Sequence, residues 1–257
     1  MITKNQAKFI RGLKLKKNRQ QSGCFVVEGE KIVEDLLNRD WEIMDIYALP
    51  DWLQHFAGSL QRLPGRVHEV DADTLKKISS MKAPNRVLAL VRMPGAALLP
   101  PIRRSELILA MDGIQDPGNM GTILRTASWF GVGHIFNAKT CVDVFNPKVI
   151  QASMGAIFDV QVHTVDLEEM LKTATGKGIP VFGTFPEGKN VYQMDLPDGG
   201  MVLMGNESRG LSGPLVPYID YRISIPASPG IKRRSVESLN VAAAAAIICS
   251  EFRRRKT

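Results

Sequence analysis

Asp112-Gly113-Ile114-Gln115-Asp116-Pro117-Gly118-Asn119-Met120-Gly121-Thr122-Ile123-Leu124-Arg125 is the stretch on which the reading of this 257-residue sequence turns. Residues 106–111, a glutamate followed by five apolar residues, read as a strand, and the stretch carries that strand through a glycine-rich turn into a helix. Asn119 can cap that helix. Arg125 follows six residues later, nearly two helical turns on, so it must reach towards something beside the helix rather than share the loop's own surface. A phosphate suits its fork of donors. Neither GxGxxG nor GxxxxGK[ST] occurs, which removes the main support for dinucleotide-binding and P-loop readings.

Two later clusters have the same strand-end, loop and helix-start character. They are Met204-Gly205-Asn206-Glu207-Ser208-Arg209-Gly210-Leu211, and Ile225-Pro226 continuing to Glu237-Ser238-Leu239-Asn240-Val241-Ala242. Any one of the three alone is explained by turn and capping chemistry. In open α/β sheets, however, ligands bind at the carboxyl ends of strands, so three such loops together suggest one composite site.

Working outward, the pattern alternates short β-rich runs with helical periodicity, which predicts an α/β protein. Strands are predicted at 24–27, 43–49, 66–70 and 86–92, with helices near 29–38, 51–63 and 71–80. The run Met93-Pro94-Gly95-Ala96-Ala97-Leu98-Leu99-Pro100-Pro101 reads as a linker, dividing the chain into 1–93, a linker at 94–104, and 105–257. Further strands are predicted near 106–111, 133–137, 159–163, 179–184, 201–205 and 221–225, and a last helix at 238–252 with alanines at 242–246.

Charge narrows the partner. The net charge is +7, but residues 1–19 hold Lys4, Lys8, Arg11, Lys14, Lys16, Lys17 and Arg19 with no acid. Lys232-Arg233-Arg234 and Arg253-Arg254-Arg255-Lys256 add two more basic clusters, and the rest of the chain is net acidic. Local positive charge of this kind is a footprint for a polyanion, with RNA or DNA the natural candidate and solvated basic ends the plainer reading. Cys24, Cys141 and Cys249 lack metal or disulfide spacing and are read as reduced and buried. His55, His68, His134 and His163 form no ligand pair, so each is read as structural and no metal is expected. No segment is long and apolar enough for a membrane span, and the basic start runs too directly into a strand for an organelle presequence, so a cytoplasmic protein is expected.

In this order and spacing the three clusters resemble the motifs of the SpoU (TrmH) family of RNA ribose 2′-O-methyltransferases, within the SPOUT superfamily. The resemblance spans about residues 106–252, and the preceding domain is similar to the L30e-like RNA-binding domain of many members. It implies a C-terminal α/β domain with a deep trefoil knot, binding S-adenosylmethionine, and a homodimer that completes each active site with both protomers. Carried over, the catalytic residues would be Asn119, Arg125, Glu207, Ser238 and Asn240, with cofactor contacts from Thr184, Gly205, Ile225 and Leu239. RNA would meet the first domain and its basic arm, and Lys232, Arg233 and Arg234 would either contact it or be solvated. The substrate expected is ribosomal RNA; the alternatives are transfer RNA, or a non-catalytic RNA-binding assembly factor. Ser208 stands where the family usually has glycine, and would be strained if its φ were positive.

Overall fold

The structure, a computed structural model, describes residues 2–81, 83–95, 99–228 and 238–254. It divides into two compact units, Met1–Leu98 with Asp143–Phe158, and Leu99–Val142 with Asp159–Thr257.

The first unit begins with α1 (Lys4–Gly12) and α2 (Lys16–Ser22), then β1 (Cys24–Glu28), α3 (Glu30–Leu37) and β2 (Ile43–Ala48). It continues through α4 (Pro50–His55), α5 (Ala57–Leu60), β3 (Val67–Glu69), α6 (Ala72–Ile78) and β4 (Val87–Arg92). The strands form one mixed sheet in the order β1-β4-β2-β3, with only β2 and β3 parallel. The single helix expected over 51–63 is broken at Phe56, which caps α4 outside helical geometry.

The basic start is not a free extension. Thr3 and Gln6 form a reciprocal capping box on α1, satisfying two backbone donors that a helix start leaves unpaired. Ile10 and Leu13 then enter a core of Cys24, Val26, Tyr47, Leu75, Ile78, Leu88 and Leu90. Lys4, Lys8, Arg11, Lys14, Lys16 and Lys17 stay exposed. Arg19 does not: it is 1% exposed. Its Nε and Nη2 both donate to Asp143 Oδ2, and its Nη1 donates to the carbonyls of Leu13 (2.6 Å) and Lys14 (3.0 Å). The expectation that Arg19 binds RNA is therefore corrected: its guanidinium is spent inside the unit and has no face for a phosphate. Breaking a buried ion pair from one side strands the other charge, so Arg19→Ala is expected to cost about 3 kcal/mol of stability, read by urea unfolding. Lys14→Ala, on the exposed side of the same turn, should change it by less than about 0.5 kcal/mol.

The second unit holds β5 (Leu107–Met111), α7 (Pro117–Trp129) and β6 (His134–Ala138). The next helix, α8 (Pro147–Ser153), belongs to the first unit. The second unit resumes with β7 (Gln161–Val165), α9 (Leu167–Gly176), β8 (Val181–Asn190), β9 (Gly200–Met204), β10 (Tyr221–Ser224) and α10 (Val241–Arg254). All six strands are parallel, in the order β10-β8-β9-β5-β6-β7. β5 and β9 are buried along their whole length, as central parallel strands covered on both faces must be, whereas the edge strands β7 and β10 are partly exposed. Ile108, Ala110, Phe136, Leu171, Val181, Met201 and Leu203 share the core on one side of this sheet.

The strand order positions the site. From β5 the chain passes to β6 on one side, and from β9 to β10 on the other, so the sheet's direction of travel reverses between β5 and β9. Such a switch point opens a crevice at the carboxyl ends of the two strands. Met111 pairs with Met204 there, so the loops that follow start side by side.

Candidate active site

The first loop leaves β5 at Asp112 and enters α7 at Pro117. Asp116 is the residue that caps α7: its Oδ1 accepts from the Asn119 N–H at 2.8 Å, and Pro117 sits at the first helical position, where its missing N–H costs nothing. This corrects the expectation that Asn119 caps the helix. With Asp116 in that role, the Asn119 side chain is free to reach out of the loop.

It reaches the other two clusters. Asn119 Nδ2 donates to Glu207 Oε1 at 2.7 Å, and Asn240 Nδ2 donates to Asn119 Oδ1 at 2.9 Å. Asn240 Oδ1 accepts from the N–H groups of Ala242 and Ala243, making it the cap of α10 and explaining why that helix starts at Val241 rather than 238. One residue from each cluster, from positions 88 and 121 residues distant, thus joins a single chain of hydrogen bonds. Every donor and acceptor of the Asn119 amide used in it has a specified partner, which fixes the orientation of its two ends.

Arg125 and Ser238 are exposed and form no hydrogen bond with this chain among the described residues. Arg125 shares an exposed face of α7 with Thr122 and with Trp129, which is 84% exposed. Thr184 lies one residue beyond the stretch of β8 that pairs with β9, with its Oγ1 donating to the Leu203 carbonyl at 2.9 Å. Gly205 follows β9 directly, and a Cβ there would stand 2.5 Å from the Gly210 carbonyl carbon. Ile225 follows β10 and is partly exposed, and Leu239, beside Asn240, is 50% exposed. Lys232, Arg233 and Arg234 lie outside the described residues.

Ser208 carries no strain from its backbone: among the described residues Met154 is the one non-glycine with positive φ, and in this loop Gly210 takes the left-handed conformation at +69°. The three cysteines are free and buried, and burial pushes the Cys249 thiol up to about 12. His134 Nδ1 and His163 Nε2 lie 3.3 Å apart, and burial, helped by His134, lowers the pKa of His163. Among the described residues no group of three or more His, Cys, Asp or Glu side chains could hold a metal ion. No helix among them is long and apolar enough to cross a membrane.

Three residues of the site were missed in the sequence: Asp112, Asp116 and Asn206. Asp112 Oδ2 accepts from the Ser212 N–H at 2.6 Å, and Asn206 Nδ2 donates to the Gly113 carbonyl at 2.8 Å. The Asp-Pro step before a helix and an Asn standing two residues before Ser-Arg were the available signals for Asp116 and Asn206, since both are local capping patterns.

The family model for the SpoU rRNA Methylase family matches residues 106–250. The chain belongs to this family. The SpoU-family domain is preceded by a match to the MRM3-like substrate binding domain over residues 4–89. This SpoU protein is 27% identical to the 23S rRNA (guanosine(2553)-2′-O)-methyltransferase RlmP of Bacillus subtilis, over 97% of each chain. It is similar to a solved TrmH-family structure from Porphyromonas gingivalis at 38% identity and a TM-score of 0.86, covering 99% of both chains. An AdoMet-bound rRNA methyltransferase from Sinorhizobium meliloti aligns at 28% identity and a TM-score of 0.86, over 100% of this chain and 97% of that one.

Proposed function

We propose that this SpoU-family protein, an RNA ribose 2′-O-methyltransferase, transfers a methyl group from S-adenosylmethionine to a ribose 2′-hydroxyl of 23S ribosomal RNA. The observation that carries the reading is the Asn240–Asn119–Glu207 chain, which unites the three family motifs at the switch point of the sheet. A binding-only descendant would have no use for all three in register.

The residues fit the cofactor. Ile225 and Leu239 are apolar side chains left partly uncovered beside polar loops, as an adenine ring requires, and Gly205 lets the loop after β9 fold closely back on the strand end. Thr184, Gly205, Ile225 and Leu239 would hold it. When bound, S-adenosylmethionine supplies a methyl group already activated by its sulfonium. What remains for the protein is to align the 2′-hydroxyl and help it lose its proton. A guanidinium keeps its proton at any working pH, so Arg125 serves as a clamp for the neighbouring phosphate and the developing oxyanion, the proton leaving by way of that phosphate. Glu207 and Asn240 hold Asn119 at the site, and Ser238 stands two residues from Asn240 to meet the ribose.

On family grounds the protein is a homodimer in which Arg125 works beside its partner's loops. Trp129, on the same face of α7, is the natural anchor of such an interface, because exposed tryptophans rarely persist on a monomer's surface and dominate interfaces when covered. Trp129→Ala is expected to weaken self-association by about 30-fold, the effect of losing a hot spot of roughly 2 kcal/mol, as read by sedimentation across a dilution series. An unchanged association constant would remove this face from the dimer. The trefoil knot is part of the same proposal on family grounds, as are a cytoplasmic location and the sequence boundaries 1–93, 94–104 and 105–257, to which Asp143–Phe158 is the exception because it groups with the first unit. Lys4, Lys8, Arg11, Lys14, Lys16 and Lys17 recruit the RNA through its phosphates, with Lys232–Arg234 assigned to it on charge alone.

The test is transfer of radiolabelled methyl from S-adenosylmethionine to RNA fractionated by size, followed by mapping of the modified ribose. Label in 23S RNA supports the reading. Label confined to transfer RNA moves the substrate, and absence of cofactor binding overturns the enzyme.

A further inference from the structure

We propose that Asn206 is a positioning residue that sets Glu207 against Asn119 by stapling the loop after β9 to the loop after β5. The inference rests on the methyltransferase reading and extends it to a residue outside the catalytic and cofactor set.

Asn206 makes bonds in two directions. Its Oδ1 accepts from the N–H groups of Ser208 and Arg209, both at 3.1 Å, closing a tight turn around Glu207. Its Nδ2 donates across to the Gly113 carbonyl at 2.8 Å, in the first motif's loop. Its backbone exchanges two hydrogen bonds with Gly210, at 3.0 and 2.9 Å, so the loop is pinned at both ends of the turn. Gly113 has φ +74°, a conformation glycine adopts freely, and a Cβ there would stand 3.6 Å from Asn206 Cβ. The two loops therefore meet at this carbonyl and this amide.

Glu207 itself is exposed, and its Oε1 is held by Asn119. An exposed carboxylate has many rotamers, so its meeting with Asn119 depends on where the backbone places it. Asn206 supplies that placement. The side chain required must be short, must accept from its own loop and must donate to a facing carbonyl at once, and the asparagine amide does all three with its acceptor and donor on separate atoms. Aspartate keeps the acceptor but turns a carboxylate oxygen towards the Gly113 carbonyl oxygen, keeping the turn and undoing the staple.

The experiment compares wild type, Asn206→Ala, Asn206→Asp, Glu207→Ala and the double variant Asn206→Ala/Glu207→Ala in the full chain. Single-turnover methyl transfer to 23S ribosomal RNA is measured at saturating cofactor and RNA, alongside the RNA dissociation constant and the melting temperature. Misplacing a group by about 1 Å costs on the order of 10²-fold in rate, so both Asn206 variants are expected to fall by about that factor with RNA affinity within about 3-fold of wild type. Because Asn206 acts through Glu207, adding Asn206→Ala to Glu207→Ala should change the rate by less than about 2-fold. If Asn206→Ala fails to fold, Asn206→Asp, which retains the turn, decides the matter through the same rate and affinity measurements. A wild-type rate in a folded Asn206→Asp, or effects of Asn206 and Glu207 that multiply, overturns the staple. A wild type that methylates no RNA overturns the methyltransferase reading and this inference with it, whereas an active wild type with unchanged Asn206 variants overturns this inference alone.

Discussion

Arg125→Ala is expected to lower single-turnover methyl transfer by about 10³-fold, the scale of losing a preorganised donor to a developing oxyanion. The folded state should hardly notice. Arg125 is exposed and bonded to nothing among the described residues, so its loss should cost no more than about 0.5 kcal/mol, or about 2 °C in melting temperature. Lysine provides the sharper comparison. It retains the positive charge but presents a point rather than a planar fork, so a clamp gripping two oxygens should still lose about 10²-fold in Arg125→Lys, whereas a purely electrostatic role should be largely rescued. An Arg125→Ala rate equal to wild type would falsify any part for this residue in the chemistry.

Gly205→Ala is expected to abolish measurable methyl transfer, a fall beyond about 10³-fold, for a different reason. Here space fails, not conformation: φ at Gly205 is not in the left-handed region, yet an added Cβ would meet the Gly210 carbonyl carbon at 2.5 Å, the Leu211 nitrogen at 2.6 Å and the Gly210 oxygen at 2.7 Å. All three are backbone atoms, so no side chain can swing aside. The loop carrying Asn206 and Glu207 has to move as a whole, and with it the strand end proposed to face the cofactor. Gly210→Ala is the matched control. Its Cβ would meet nothing within 4 Å, and only its φ of +69° is unfavourable, which costs about 1 kcal/mol. Cofactor binding by calorimetry should be lost in Gly205→Ala and kept in Gly210→Ala.

The second unit was easier to read from sequence than the first unit's start. Strands such as Leu107–Met111 and Gly200–Met204 are unbroken apolar runs ended by glycine loops, and a period of that kind survives any packing. The α1 and α2 helices were hidden because their charge dominates their composition. Ile10 and Leu13, with Ile2 and Ala7 packed beside their core, mark the buried face, and a capping box of Thr3 with Gln6 is easily passed over beside seven cations. Arg19 shows the deeper limit. Nothing local distinguishes it from Lys16 or Lys17; what removes it from the surface is Asp143, 124 residues away. The site divides similarly. Asn119, Glu207 and Asn240 were legible as members of motifs, but that they bond directly to one another follows from the strand order, which places β5 beside β9. Asp116 caps its helix within three residues of itself, and Asn206 closes its turn over the same distance while bonding across to Gly113, so such turns have weak signatures unless each loop is examined for its own unpaired donors.

The grouping of Asp143–Phe158 with Met1–Leu98 bears on how this protein could be taken apart and rebuilt. A gene cut within 94–104 yields two contiguous pieces, neither of which is a whole unit. The N-terminal piece keeps Arg19 but leaves its carboxylate partner on the other fragment, so an isolated recognition module made in that way begins with a stranded internal cation. A chimera that exchanges the first unit between relatives must therefore transplant two segments, the second of them inserted between β6 and β7 of the recipient's second unit. Inheritance of the first unit is then a matter of co-transfer: a recombination event at the linker alone hands the descendant only part of the unit.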